Sequence, residues 1–444
     1  MQKTTRFALT IACIVTAGLR LAAQEASEPT LQDLLRRVDA QDREIDALKA
    51  ASADAAPGVK KKGTSLEAVY DKGYRLRSSD PDSPFELRVN GRMQFRFTSF
   101  DAERRGATSS MPVYRSDFEI ERGRLEFRGT FLDGKTHFFI NLDADTDDNH
   151  GVIFHDFWVN HRFNDCFDLY VGKAFVPGSR DWLSGSTSTH LIDRSLATTF
   201  FRPDRSVGVW AIGEPIEDFH YRVMVGNGFN TTDLSAGEVD NKFTYSGSVW
   251  WDPLAAYGSG YADLEHHEDL AMRVGASFAW SPEEDGQQPA NREADAIRLS
   301  NGTRLTALRV EKFDLSLVAL DAALKYCGFS ANSEFFYRSL DNLIAPTSPS
   351  MPRNYEDWGA YVDAGYMIVS KRLEAVARYS TIQGDLQNSY EYAAGINYYI
   401  DGTHTNKLSF DATLLDGAPT SNSGPNYRVG DDGWMFRVQW QIAF

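Results

Sequence analysis

Long hydrophobic runs are missing: nowhere do eighteen apolar residues follow one another, the minimum for a helix that crosses a bilayer. A helical membrane protein is therefore excluded. Membrane-crossing strands are not, because their apolar residues alternate with polar ones and never form a block. Cysteine is scarce, with only Cys13, Cys166 and Cys327, and no pair stands at metal-binding or redox spacing. A disulfide between Cys166 and Cys327 is possible in an oxidising compartment, as are free buried thiols. Basic charge is in deficit: 46 Lys and Arg against 62 Asp and Glu leave a formal net charge of −16. That balance argues against a nucleic-acid partner. Because the acidity concentrates in expected loops, Asp143 to Asp148 and Glu283 to Asp285, it says little about the interior of a pore. G-x-S-x-G and phosphate-cradling Gly-rich loops are also absent, so no cofactor is expected.

What is present begins with an export signal. Lys3 and Arg6 precede an apolar run from Phe7 to Leu19, and Ala22 and Ala23 follow, the pattern of a secretory signal peptide over residues 1–23. Cys13 is a poor lipidation site, since no Leu stands three places upstream. Residues 24–50 carry Leu31, Leu34, Val38, Ile45 and Leu48 at three-four spacing, which fits a short coiled coil or an amphipathic helix equally well. Residues 51–84 read as a linker, with Ala, Pro and Gly around a Lys60-Lys61-Lys62 run.

From Phe85 to Phe444 the period becomes two. In Phe85 to Phe97 every odd position is apolar or Gly and every even one is polar or charged. Similar segments recur near 118–131, 135–145, 152–163, 166–174, 205–213, 217–228, 241–252, 268–281, 314–326, 329–341, 356–370, 372–383, 389–400, 405–415 and 434–444. With the first they make about sixteen strands, many of the length that spans a bilayer at a tilt. The last places Trp434, Phe436, Val438, Trp440, Ile442 and Phe444 on one face. Such an edge would aggregate in water. The fold expected is all-β, a transmembrane antiparallel β-barrel in the outer membrane with lipid as its neighbour. Trp250, Trp251, Trp358, Tyr398 and Tyr399 are expected in its interfacial aromatic girdles.

Arg88, Arg92 and Arg96 share the polar face of the first strand, spaced by roughly 13 Å per four residues. Arg122, Arg124 and Arg128 do the same on the second. An arginine facing mid-bilayer lipid costs about 2–4 kcal/mol, so both columns point into the lumen. There their planar donors suit anions that offer two oxygens at once. Wall salt bridges to Glu86, Glu119, Glu121 or Glu126 are the competing use of these arginines.

The chain resembles the phosphate-selective porin O and P family at Val89-Asn90-Gly91-Arg92-Met93-Gln94, Phe154-His155-Asp156-Phe157-Trp158-Val159, Val171-Gly172-Lys173 with Pro177, and Ile192-Asp193-Arg194-Ser195. Later pieces are Leu320 to Tyr326, Gly395-Ile396-Asn397-Tyr398-Tyr399 and Phe436-Arg437-Val438-Gln439. The resemblance implies a trimeric sixteen-stranded barrel that passes inorganic phosphate or other small anions. It also implies that Arg88, Arg92, Asp156 and Arg194 belong to a narrow binding zone completed by an infolded loop between Phe175 and Arg205. His137 and Arg180-Asp181 stand where lysines are expected, which dilutes the basic character. Other readings are a general porin whose N-terminal helix acts as a tether, and a barrel hydrolase in which His190, Asp193 and Ser195 converge. Asp143 to Asp147 imitates the start of a calcium loop but lacks its Gly and closing Glu. His266-His267 reads as a polar turn.

Overall fold

The computed structural model describes residues 66–444 apart from 81–83, 105–113, 132–133, 147–150, 230–241, 286–291 and 423–425. The signal peptide, the 24–50 helix, the first part of the linker and Asp147-Asp148 lie outside the described residues.

The linker stretch holds an unexpected element. Leu66–Tyr70 (β1) and Tyr74–Ser78 (β2) pair as a hairpin. Its turn places Lys72 at φ 50° and Gly73 at φ 131°, conformations that glycine adopts without steric cost. Tyr70 and Tyr74 meet edge-on across it at 5.5 Å. β2 then pairs with the opening of the next strand.

Sixteen strands follow: β3 (Glu86–Arg104), β4 (Tyr114–Phe131), β5 (Thr136–Asp143), β6 (Ile153–Asn164), β7 (Phe167–Phe175), β8 (Arg205–Ile216), β9 (Phe219–Gly226) and β10 (Thr244–Trp251) form the first half. The second half is β11 (Ala271–Asp285), β12 (Lys312–Tyr326), β13 (Phe329–Ile344), β14 (Tyr355–Val369), β15 (Leu373–Gly384), β16 (Asn388–Tyr399), β17 (Asn406–Asp416) and β18 (Asp432–Ala443). Each pairs antiparallel with its neighbour in sequence, and β18 returns to β3. Every segment predicted from the period-two pattern is one of these strands. Closure removes the sheet edge that the aromatic last strand would otherwise expose.

At the seam the Phe444 N–H donates to Gly91 O at 2.9 Å and Gly91 N–H to Phe444 O at 3.1 Å. A Cβ at Gly91 would overlap the Phe444 ring. Glycine in the Asn90-Gly91-Arg92 piece therefore makes room for the last side chain.

The barrel wall is apolar outside and, away from the infolded loop's apolar cluster, polar inside. Trp434, Phe436, Val438, Trp440, Ile442 and Phe444 face outward, each more than a third exposed. Arg437, Gln439 and Gln441 between them are buried inside. Trp251, Trp358 and Tyr398 are exposed as girdle residues should be, but Tyr399 is buried and Trp250 half-buried. Alternation alone explains it, because neighbours along a strand point to opposite faces.

The connections at the end bearing Phe444 are short, as at Cys327-Gly328, whose φ values of 48° and 83° match a tight two-residue hairpin turn. Cys166 and Cys327 are free and exposed, so neither the disulfide nor burial holds. One connection at this end, 252–270, is long and turns inward. Its Tyr257, Tyr261, Ala262 and Asp263 are almost fully buried, and Tyr261 N–H donates to Ser188 O at 3.0 Å. From the other end the segment 176–204 folds into the lumen with two short helices, α1 (Arg180–Leu183) and α2 (Leu196–Phe201). Phe200 and Phe201 of α2 pack with Phe336, Ile382, Leu299 and Leu305 into the main apolar cluster. This filling closes much of the lumen beside β12 to β15 and leaves open space against β3 to β8.

Candidate functional site

The infolded segment is held to the wall by charge. Glu334 of β13 accepts from the backbone N–H groups of Arg180 (2.8 Å) and Asp181 (3.1 Å), and Glu391 of β16 from that of Leu196 (2.6 Å). Each carboxylate thus satisfies the orphan donors at one helix start. The tip is fastened by Asp193, which takes Arg96 in a bidentate pair (2.8 and 3.1 Å), Arg437 (3.0 Å) and Arg122 (3.4 Å). Burial pushes the Asp193 carboxyl up, but Arg96, Arg437 and Arg122 outweigh it and hold it well below the usual carboxylate range. Arg194, next in sequence, turns the other way. It donates to the carbonyls of Asp181 (2.9 Å) and Ser184 (2.5 Å) and lies over the Trp182 ring at 4.5 Å. Desolvation pushes its guanidinium down to about 10, only partly offset by Asp181.

Between this segment and β3 to β8 lies a cavity of about 430 Å³. Eight Arg and Lys side chains line it against six Asp and Glu, so the cavity is formally positive within a chain of net charge −16. The strand register builds the column: Arg92 stands opposite Arg124, Gln94 opposite Arg122 and Arg88 opposite Arg128. Arg124 is paired with Asp143 at 2.8 Å, whereas among the described residues Arg92 has only Glu126 at 3.7 Å and an Nε without a hydrogen-bond partner. Asp156 holds Arg205 at 2.9 Å and accepts from Asn141.

Of the predicted site residues, Arg92, Arg122, Arg124, Arg128, Asp156 and Arg194 line this cavity. Arg96 does not; fully buried, it spends its donors on Asp193 and Gln439 (2.9 and 3.1 Å) and lies 3.1 Å from Glu121. It anchors the loop. Arg88, paired with Glu86 at 3.2 Å, and His137, bonded to Thr130 at 3.0 Å, line a separate space nearer the turn end, which Arg128 also borders. Asp181 does not face the cavity, since its carboxylate is buried against Thr198 (2.7 Å) and Tyr261 (2.8 Å). The dilution it threatened is absent there. Sequence reasoning missed Lys173, Arg202 and Arg205. Lys173 and Arg205 sit at the rims of β7 and β8, and only their closeness to the infolded segment marks them.

His190, Asp193 and Ser195 do not converge. His190 is bonded to Asp363 (2.8 Å) and Ser330 (2.9 Å), and the Ser195 hydroxyl caps α2 through Thr198 N–H at 3.0 Å. Among the described residues one group has metal-ligand spacing, Asp263, Glu265 and His267, with ligand atoms within 4.8 Å. Asp263 is already engaged by His267 and Gly328 N–H, and the Lys325 ammonium lies 3.6 Å from Glu265.

A closed sixteen-stranded barrel, apolar outside, charged inside and narrowed by an infolded loop, defines an outer-membrane porin. The chain belongs to the phosphate-selective porin O and P family, whose model matches residues 87–444. Its fold is similar to that of an anion-selective porin from Comamonas acidovorans, at 12% identity, 81% of this chain, 100% of that chain and a TM-score of 0.52. It is likewise similar to OmpT of Vibrio cholerae, at 10% identity, 85% of this chain, 100% of that chain and a TM-score of 0.51. No curated protein sequence matches it. Family and fold indicate a channel rather than an enzyme.

Proposed function

We propose that the protein is a passive anion-selective channel whose preferred permeant is phosphate. The observation that carries this is the positive cavity beside the loop, where Arg92, Arg124, Arg194 and Arg205 surround the open path. Among the described residues Arg194 has no carboxylate partner, and it meets carbonyl dipoles and an indole face, so its charge remains available to an anion. Arg92 is loosely paired. An entering phosphate exchanges hydration for these guanidinium donors in steps, while Asp143, Asp156 and Glu126 compete for the same arginines and keep release fast. The family's preference for phosphate supports the permeant, and its presence in this chain is the proposal. Assembly as a homotrimer is proposed on the same footing.

Planar-bilayer reversal potentials in a KCl gradient, repeated with phosphate, test this. Anion-over-cation permeability is expected, falling several-fold or inverting in an Arg92→Glu, Arg124→Glu double variant. Cation selectivity of the unmodified channel would overturn it.

A further inference from the structure

A further cavity, of about 380 Å³, lies between the infolded loop and the segment 257–261 that enters from the turn end, the periplasmic side in such barrels. It shares only Leu183, Ser184 and Gly185 with the first, so these loop residues form a partition between two chambers.

The second chamber has a different chemistry. Arg273 is held bidentately by Asp252 at 2.7 and 2.8 Å. Arg180 is bonded to Asn332 at 2.9 Å and lies over the rings of Tyr257 and Tyr261. Arg222 is unlike both, for among the described residues it makes no hydrogen bond or ion pair, and its Nε is shut off from solvent without a partner. A half-buried guanidinium with one N–H so shut off is stabilised by an anion oxygen that reaches it.

The register places further donors beside it. Arg222 stands opposite Ser248, and Ser248 opposite Ser277. The two hydroxyls are 2.8 Å apart, so one proton is committed between them and the other is free to donate. Half-buried Trp250 is the chamber's open aromatic wall, its indole fixed by stacking on His220 at 5.1 Å, whereas Tyr257 is buried beneath Arg180 and Arg273.

We infer that this chamber is a binding site for an organic phosphate monoester joined to a flat ring. Its terminal oxygens meet Arg222 and a serine hydroxyl, and its ring lies against Trp250. The guanidinium and the hydroxyl together supply enough donors for more than one phosphate oxygen. Inorganic phosphate would satisfy the donors but leave the aromatic surface wet, so the ring adds affinity that the ion alone lacks. The inference rests on the channel reading only in that the ligand arrives through the lumen.

The test is block of chloride current through the intact channel in planar bilayers by p-nitrophenyl phosphate added on the periplasmic side. Half-block is expected at a concentration at least about tenfold below that at which inorganic phosphate reduces the current equally. Arg222→Gln should raise the half-blocking concentration about tenfold, the loss expected for one charge-assisted contact. Trp250→Leu, which leaves the charge in place, should raise it about fivefold. Equal block by the two phosphates, or block unchanged in both variants, would overturn the site. Reversal potentials from the same membranes report ion selectivity separately, so a failure of the anion-channel reading shows there and not in the block.

Discussion

Replacing Asp193 by Asn tests whether charge, rather than packing, keeps the loop inside the barrel. Asp193 is 6% exposed and meets three arginines and Asn422 within 3.4 Å. Removing one partner of a buried ion pair costs about 3–5 kcal/mol. The lower end applies here, because Arg437 keeps Asp411 at 2.8 Å and Arg96 keeps Glu121 at 3.1 Å. A loss of about 3 kcal/mol shifts the loop's attached-to-released ratio roughly a hundredfold. Single-channel recordings of Asp193→Asn should show frequent excursions to higher conductance at neutral pH, with a lowered urea midpoint. The pH dependence has a definite sign. The folded-state pKa is depressed, so the stabilisation is complete above the ordinary value of about 3.8 and is lost only as pH falls through the lower folded value. The wild-type channel should therefore stay quiet from neutral pH down to about 4. A variant as quiet as wild type, with the same urea midpoint, would show that the helix anchors at Glu334 and Glu391 hold the loop alone.

Two further outcomes follow from buried contacts. At the seam, Gly91→Val should destabilise the barrel by about 1–3 kcal/mol because the new side chain displaces the Phe444 ring; an unchanged urea midpoint would show that the ring moves aside freely. Burial pushes the His190 imidazole down, but Asp363 and Glu374 outweigh it and raise it above 6.5. Its contribution is thus fully present below that value and lost as pH rises through the folded one. The stability gap between wild type and His190→Gln should be widest near pH 6 and shrink on the alkaline side, and a gap that widens there instead would contradict the ion pairing.

The strand pattern, the outward aromatic face of β18 and the lumenal side of Arg88, Arg92, Arg96, Arg122, Arg124 and Arg128 were all legible in the sequence. Alternation is local: a residue's face is decided by its parity along one strand, and an arginine cannot afford the lipid side. The β1–β2 hairpin went unread because two five-residue strands are too short to stand out from linker composition. The inward turn of Trp250 and Tyr399 was missed because residue type was weighed above parity. Which arginines remain available was decided only by the tertiary structure. Arg96 and Arg194 look equivalent in the sequence, yet one is consumed by Asp193, far away in the chain, and the other is held by carbonyls and an indole. The path of the infolded loop and the shear of the barrel bring those groups together. Both are set by long-range closure, which alternation along a strand does not encode.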